Sequence, residues 1–336
     1  MTEEEERRFS PTQFFSRTFT DSESLAASIP GGKVDVVPTG YRDFRGTVRL
    51  VNLGKGVSLQ SAGATAPVTL RTELIGGDTP ATTFFFVPNP DPKAAVDGIH
   101  LAADMVFSRS CGDISSLRTA GPFELRAVCI LNSALRRASA ALTGREKMAA
   151  LETPATLKRA GVAQLANLHS HYALITQAVD AAGWEMIARR KALTEFASDA
   201  ISAALVRLLD TGDLRTDHLA HRLQTASMRR IDRLIDEDSD HLIGLQELCE
   251  RAGLSLRTIE SIIRRRMDMT AHSYLKRRRL TRARKALLSP GEGVTVTSVA
   301  MDHGFTHLGR FSIFYRQMYG ESPSETLRNV TGRQEG

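Results

Sequence analysis

The chain has 336 residues, 42% hydrophobic and 24% charged, an ordinary globular composition that is long enough for two hydrophobic cores. It contains 44 Lys or Arg against 38 Asp or Glu. Residues 241–330 hold 15 basic and 8 acidic residues, which leaves 29 and 30 for the rest of the chain. The positive excess therefore lies in one C-terminal segment, a distribution typical of a surface that binds a polyanion.

Cysteine usage and hydropathy exclude several classes of protein. Cys111, Cys129 and Cys249 are odd in number and form no Cys-x-x-Cys pair, so neither a disulfide framework nor a zinc site is predicted. The acidic start, Thr2–Arg8, is followed by no long apolar core, and no run of eighteen apolar residues occurs. We therefore expect no secretory signal and a cytoplasmic protein.

Short β-rich segments dominate the first third of the chain, after a polar start that we expect to be loosely attached and a helix predicted over Glu23–Ser28. Glycine and proline punctuate these segments, a pattern that favours an antiparallel sandwich or small barrel. Strands are predicted at 34–37, 46–51, 57–59, 68–70, 82–87, 100–102 and 105–107.

Helical apolar spacing then predicts helices near 124–142, 154–181 and 184–209. The last of these has a broad apolar stripe that includes Leu193, Phe196, Ile201 and Leu205. Such a stripe fits either packing on the chain's own β-domain or a dimer seam, and both remain open. The polar segment 211–217 is predicted to link two domains, and 218–236 to form the first helix of the second.

Two copies of one short pattern follow, with Gly253 and Gly304 fifty-one positions apart. In each copy a short apolar helix ends at the glycine, which suits the positive φ of a sharp turn. Ser255 or Thr306 is then placed to cap a second helix. This arrangement predicts two helix-turn-helix units.

The second helix of each unit has an apolar stripe at intervals of four: Ile259, Ile263 and Met267, then Phe311, Tyr315 and Tyr319. Residues two positions away from a stripe point to the opposite side of a helix. The outward faces are therefore Arg257, Ser261 and Arg264 in the first unit, and Gly309, Ile313 and Arg316 in the second, flanked by Glu260, Arg310 and Ser312. Such faces suit base edges and phosphates.

Residues 273–288, between the units, have Leu or Ala at helical spacing and contain neither Gly nor Pro. They predict one long helix that sets the distance between the two reader helices. Reader helices that lie roughly 34 Å apart reach successive major grooves.

These motifs resemble the DNA-binding domain of the AraC/XylS family of transcription regulators. The resemblance rests on the paired units, on Arg279-Leu280-x-x-Ala283-Arg284-x-x-Leu287, and on the closing Gly304-Phe305, Phe311, Tyr315 and Gly320-x-x-Pro323-Ser324. It covers about the last hundred residues. The version from Gly304 to Leu327 is similar to the branch of ethanolamine-operon and aromatic-acid regulators.

The resemblance implies an α+β chain: an N-terminal cupin-like β-domain with helices, residues 1–215, and a C-terminal all-α double helix-turn-helix domain, residues 216–336. It implies effector binding and dimerisation for the first domain and DNA binding for the second. The expected partners are double-stranded DNA, RNA polymerase, a small-molecule effector and a second copy of the chain. No cofactor, metal or enzymatic activity is expected, and activation is expected over repression.

Two positions depart from the family pattern. Asp268 and Ala271 stand where the family usually has Gly and Pro, which affects the closing turn of the first unit.

The contacts expected with DNA divide into two sets. The base contacts are predicted to be Arg257, Glu260, Ser261, Gly309, Arg310 and Ile313, and the phosphate contacts Arg264, Arg278, Arg282, Arg284 and Arg316.

The candidates for contact with an anionic effector are Arg49 and Arg71, together with Tyr41, Arg42 and Arg109.

Two alternative functions remain open. One is an effector-independent regulator. The other is an alkyl-transfer repair protein with a reactive cysteine, since Arg109 precedes Cys111 and Arg126 precedes Cys129 closely enough to lower a thiol pKa if the side chains met.

A metal site at His169 and His171 is disfavoured, because residues two apart on a helix point to different faces.

Overall fold

A computed structural model describes residues 14–38, 44–74, 80–89, 91, 93–110, 114–145, 156–211, 218–237, 242–291 and 293–334. The chain divides into two compact units. One takes in most of the chain up to His218, and the other begins at Leu219 and adds the short segments Val37–Arg42 and Val96–Ile99. Of the predicted linker at 211–217, Thr211 is the last residue of a helix, and residues 212–217 lie outside the described residues. Among the described residues, no helix combines the length and apolar character needed to cross a membrane.

The first unit contains two antiparallel sheets, as the β-rich segments predict. The strands are β1 Phe14–Phe19, β2 Gly32–Pro38, β3 Gly46–Gly54, β4 Val57–Ala64, β5 Val68–Leu74, β6 Ala81–Phe86, β7 Ala95–Val96, β8 Ile99–His100, β9 Met105–Ser110, β10 Ile114–Arg118, β11 Phe123–Leu131 and β12 Thr156–Arg159. One sheet has the order β1-β3-β4-β11-β6-β9-β12 and the other β2-β5-β10-β7-β8. The prediction of a β-domain followed by an all-helical domain is confirmed.

Helices cover one face of the seven-stranded sheet. The first helix, α1 Ser22–Ser28, lies on the opposite face, where Leu25 packs against Gly46 of β3. The helices on the covered face are α2 Asn132–Thr143, α3 Val162–Ala182, α4 Trp184–Ala188 and α5 Lys191–Thr211. Their apolar side chains join Val57, Leu59, Phe84, Val128 and Ile130 of the sheet in one core. Burial of this shared apolar surface is the main stabilising contribution to the unit.

Three predictions for this unit are wrong in part. The loosely attached start includes strand β1, which pairs along β3. Residues 124–131 form β11, a central strand, where helix was predicted. Residues 127–131 are apolar at every position, so the alternation that marks a strand is lost over the second half of β11. The predicted helix at 154–181 begins only at Val162, because Thr156–Arg159 pairs with β9.

The stripe predicted on 184–209 divides between two environments. Ile201, Ala204, Leu205 and Leu208 are buried in their own domain. Leu193 and Phe196 are 44% and 70% exposed. The C-terminal part of the stripe is therefore core, and the N-terminal part of α5 is an uncovered apolar face.

The second unit is helical. Its helices are α6 His218–Glu237, α7 Leu245–Ala252, α8 Leu256–Met267, α9 Ala271–Leu288, α10 Val296–Asp302, α11 Leu308–Tyr319 and α12 Pro323–Gln334. One core surrounds α6 to the first half of α9, and another surrounds the second half of α9 with α10 and α11. Both cores include residues of α9, which confirms the single long helix predicted between the two repeated patterns.

Candidate nucleic-acid interface

The first repeated pattern folds as α7, a turn and α8. Gly253 ends α7 with φ 64°, in the left-handed region predicted for it. Ser255 caps α8, because its Oγ accepts a hydrogen bond from the backbone N–H of Thr258 at 3.2 Å. The predicted stripe of Ile259, Ile263 and Met267 is buried. Arg257, Ser261 and Arg264 are consequently exposed on the opposite face.

The second pattern folds as α10, a turn and α11. Gly304 has φ 77°, a conformation that favours glycine, and a Cβ at this position would lie 2.6 Å from Cδ1 of Leu242, so that side chain would have to shift. The prediction that Thr306 caps the next helix is wrong. His307 occupies the N-cap position without a side-chain cap hydrogen bond, because this turn is longer than the first.

The reader face of α11 is also exposed. Phe311 and Tyr315 are fully buried, and Tyr319 is half-buried. On the other side of the helix Ile313 is 56% exposed, and Gly309, Arg310 and Arg316 are exposed. The Arg316 guanidinium lies 3.7 Å from the Glu325 carboxylate at the surface. Arg265 on α8 and Gln317 on α11 are exposed as well, and were missed because they flank the predicted outward positions.

Several basic side chains of α9 bind partners in the second unit itself. On the α6 side, Arg278 pairs with Asp236, and Arg282 donates to the carbonyl of Ile235. Arg279 donates to the carbonyl of Ile243 at 3.2 Å. Because Ile235 and Asp236 lie near the end of α6, Arg278 and Arg282 place cations at its C-terminus, where they are favoured, and Arg282 also binds one of its last carbonyls.

On the α11 side, the Lys276 ammonium lies 3.7 Å from the centre of the Phe314 ring. Arg284 donates to the Tyr315 hydroxyl at 3.2 Å and pairs with Glu321 at 2.9 Å. Burial raises the pKa of Tyr315 to about 12, and the nearby Arg284 charge opposes that rise. The hydroxyl is therefore neutral and donates to Thr326 at 2.9 Å.

Four side chains predicted to contact DNA are bound inside the domain. Arg284 is buried and paired with Glu321, which argues against the predicted phosphate contact. Arg278 and Arg282 are occupied in the same way by the end of α6. Glu260 is held toward the start of α9, because its Oε1 accepts a hydrogen bond from the backbone N–H of Ala271 at 3.2 Å. The partners are distant in sequence, which is why spacing on a single helix did not reveal them.

The departures at Asp268 and Ala271 leave the closing turn of the first unit intact. Asp268 takes the left-handed conformation that glycine would favour, with φ 54°, and its N–H donates to the carbonyl of Arg264 at 2.9 Å. Thr270 then caps α9 by accepting from the N–H of Ser273 at 3.2 Å. The turn is formed, with the strain of a non-glycine residue at Asp268.

The effector candidates in the first unit are dispersed. Arg49 donates to Asp180 of α3 at 3.1 Å, and Arg71 lies 3.7 Å from the Asp35 carboxylate. Both therefore hold neighbouring elements together, which argues against an effector contact for either. Arg109 is buried. Tyr41 and Arg42 lie outside the described residues.

The cysteine and histidine alternatives find little support. Cys111 lies outside the described residues. Cys129 and Arg126 are three apart on strand β11, so their side chains point to opposite faces of the sheet and cannot meet as predicted. The His169 ring packs edge-on against Phe86, 4.9 Å between centroids. Among the described residues, no group of three His, Cys, Asp or Glu could hold a metal ion.

The described geometry of α7 to α11 defines a pair of helix-turn-helix units braced by one helix. In agreement, residues 248–329 match the family described as a helix-turn-helix domain. The XylDLEGF operon transcriptional activator of Pseudomonas putida is 37% identical over 103 residues, 30% of this chain and 32% of that protein. A probable thc operon regulatory protein of Rhodococcus erythropolis is 38% identical over 94 residues, 27% of this chain and 28% of that one.

Solved structures are similar as well. A probable AraC family transcriptional regulator from Rhodopseudomonas palustris is 32% identical and covers 31% of this chain and 97% of its own, with a TM-score of 0.29. The AraC-like transcriptional activator CuxR is 13% identical over 86% of this chain and 100% of its own, with a TM-score of 0.40. The chain spans about a third of the length of the first curated relatives that it matches. The sequence matches support the AraC/XylS resemblance for the C-terminal domain.

Proposed function

We propose that this protein is a sequence-specific DNA-binding transcription regulator, an activator that responds to a small molecule. The observation that carries the proposal is the pair of reader helices, α8 and α11, each with its apolar stripe buried and a basic, hydrogen-bonding face exposed. Buried reader faces would exclude this function. Two faces joined by one rigid helix suit two neighbouring major grooves of double-stranded DNA.

The proposed contacts follow from exposure. Arg257, Ser261, Gly309, Arg310 and Ile313 would lie nearest the bases, where Arg suits guanine and an apolar side chain suits the thymine methyl group. Arg264 and Arg316 would hold phosphates, which fix the register without reading sequence. Glu260, Arg278, Arg282 and Arg284 are left out, since their side chains have partners inside the domain. The Arg316 ion pair with Glu325 is exposed at the surface, so Arg316 can exchange that partner for a phosphate.

The proposal is tested by selecting sites for the full chain from random duplex DNA and measuring affinity against salt. Two boxes about one helical turn apart, ~10 base pairs, are expected. Arg310→Ala should cost about 1 to 3 kcal/mol and relax the preference at one base position. A variant that binds every selected site as the parent does would contradict the placement of α11.

The remaining parts of the proposal concern the whole chain. Residues 1–215 would bind the effector and a second copy of the chain, and 216–336 would bind DNA and contact RNA polymerase. The motif from Gly304 to Leu327 favours the branch resembling ethanolamine-operon and aromatic-acid regulators. Control would follow from a population shift, in which the effector binds one arrangement of the dimer more tightly than another. The protein would carry out no enzymatic reaction.

The exposed end of α5 is the proposed dimer contact. Phe196 and Leu193 lie one turn apart there, 70% and 44% exposed, a combination that favours burial against another chain. Phe196→Glu is expected to shift the mass measured by light scattering toward monomer. Asp199→Glu, three residues further along the same helix, should leave the mass unchanged. If Phe196→Glu stays as associated as the parent, the contact lies elsewhere.

A further inference from the structure

Helix α9 joins the two helix-turn-helix units through two separate cores. Leu275 is its last residue in the core of the first helix-turn-helix unit, and Leu280 is its first residue in the core of the second. Residues 276–279 between them are Lys or Arg at every position. A helix fixes the distance along its own axis, but long helices commonly curve. The angle between the two helix-turn-helix units therefore depends on what else connects them.

Arg279, at the end of this basic turn of α9, contacts both helix-turn-helix units. Its Nη2 donates to the carbonyl of Ile243 at 3.2 Å, and Ile243 is buried in the core of the first unit. Its Nη1 lies 3.4 Å from the position that a Cβ on Gly304 would take, in the turn of the second unit. The guanidinium therefore lies between the start of one unit and the turn of the other. Its planar, rigid fork of donors suits such a position.

Leu242 reaches the same turn from the first helix-turn-helix unit. It directly precedes Ile243, and its Cδ1 and Cγ lie 2.6 and 3.7 Å from the Cβ position of Gly304. Leu242 thus packs on the backbone of Gly304, which it can approach because glycine has no side chain. Leu242, Arg279 and Gly304, the bridge, form a second connection between the two helix-turn-helix units, off the axis of α9.

The turn of the first helix-turn-helix unit shows that this close approach is not part of the motif itself. Gly253 ends α7 as Gly304 follows α10, and both have positive φ. In the part of the chain that the structure describes, nothing lies within 4 Å of the Cβ position of Gly253. The close packing at Gly304 therefore belongs to the bridge and is not a requirement of the turn.

We propose that the bridge fixes the angle between the two reader helices, and thereby the spacing of the two DNA boxes that the protein accepts. Leu242 and Arg279 are positioning residues in this role, since neither lies on a reader helix. One added base pair moves a box by about 3.4 Å and turns it by about 35° around the DNA axis. Readers held at one angle cannot follow such a turn. The inference rests on the proposed function.

A spacing series measured with the full chain tests the proposal. The two boxes selected from random DNA are placed at the selected spacing and at one base pair more or fewer, and the affinity for each duplex is measured. The parent is expected to bind the altered spacings much more weakly. Arg279→Ala and Leu242→Ala should each reduce this discrimination several-fold, because the two readers can then adjust to each other. Affinity for a duplex with a single box should stay as in the parent, which damage to a reader would not allow.

Arg277→Ala is the matched control. Arg277 is also on α9 but points to another side, because positions two apart on a helix differ by about 200°. Its removal changes the net charge by the same amount, and the spacing preference should stay as in the parent. If Arg279→Ala does not fold, Leu242→Ala decides, since Leu242 is only half-buried. Bridge variants that discriminate spacings as sharply as the parent, or that lose single-box binding equally, would overturn the proposal.

The parent protein separates this proposal from the proposed function. If the parent selects no DNA sequence, the regulatory function fails and the bridge proposal falls with it. If the parent selects two boxes but tolerates every spacing, the bridge proposal fails alone. It also fails alone if the parent prefers one spacing and both bridge variants keep that preference.

Discussion

The Glu260 carboxylate on the first reader helix accepts a hydrogen bond from the backbone N–H of Ala271, 3.2 Å away at the start of α9. Ala271 is fully buried, so water cannot replace this acceptor. Glu260 thus ties the first half of α8 to the helix that joins the two units. This contact argues for a positioning role at a residue that the sequence predicts to read bases.

Glu260→Ala is expected to destabilise the protein by about 1 to 3 kcal/mol, the cost of leaving a buried N–H without an acceptor. Glu260→Gln keeps a carbonyl oxygen at the same position and should cost clearly less. Urea unfolding of both variants measures the difference. The DNA sequence selected by Glu260→Gln should match the parent's, and a changed base preference would restore Glu260 to the base contacts.

Asp268 and Gly320 occupy equivalent positions, each in the left-handed conformation at the end of a reader helix, with φ 54° and 77°. An L-residue in this region costs about 1 to 2 kcal/mol, and glycine loses about 0.5 to 1 kcal/mol in unfolded-state entropy. Asp268→Gly should therefore stabilise the protein by up to about 1 kcal/mol. The reciprocal change, Gly320→Asp, should destabilise it by a similar amount in the same unfolding assay. Loss of stability in Asp268→Gly would show that the Asp side chain contributes more than the strain costs.

How far the sequence predicts this molecule depends on the range of the interactions. The reader helices were predictable because Ile259 and Ile263, or Phe311 and Tyr315, follow the helical period and need only one apolar neighbour. Strand β11 was not predicted, because its second half, residues 127–131, is apolar at every position and shows no alternation. The roles of Glu260 and Arg284 could not be predicted from the sequence either. Tertiary packing alone brings Glu260 to Ala271 and Arg284 to Glu321.

Arg284 and Arg264 separate a structural cation from a proposed phosphate contact. Arg284 is 7% exposed and bound to Glu321 and Tyr315, whereas Arg264 is exposed on α8. Arg284→Met should destabilise the domain by about 2 to 4 kcal/mol, because a partly buried carboxylate loses its partner. Under conditions where the Arg284→Met variant is folded, its affinity for DNA should depend on salt concentration as the parent's does.

Arg264→Ala should behave in the opposite way, with stability within about 0.5 kcal/mol of the parent. The slope of log affinity against log salt concentration should be shallower by about one unit, because DNA binding by this variant releases one counterion fewer. Binding titrations at several salt concentrations measure both slopes. A shallower slope for Arg284→Met would return that residue to the phosphate contacts.

His169 makes the stability of the β-domain depend on pH. Burial against Phe86 lowers the pKa of its imidazole, and the nearby Arg126 charge lowers it further. Near pH 6 the unfolded chain therefore binds more protons than the folded one, so stability rises with pH and is lost as pH falls below the ordinary value of about 6.5. His169→Gln should flatten this dependence between about pH 5 and about pH 7.5, as measured by urea unfolding across the range. Above that range the two proteins should show parallel curves, and an unchanged slope below it would mean that His169 is as easily protonated in the folded state as in the unfolded chain.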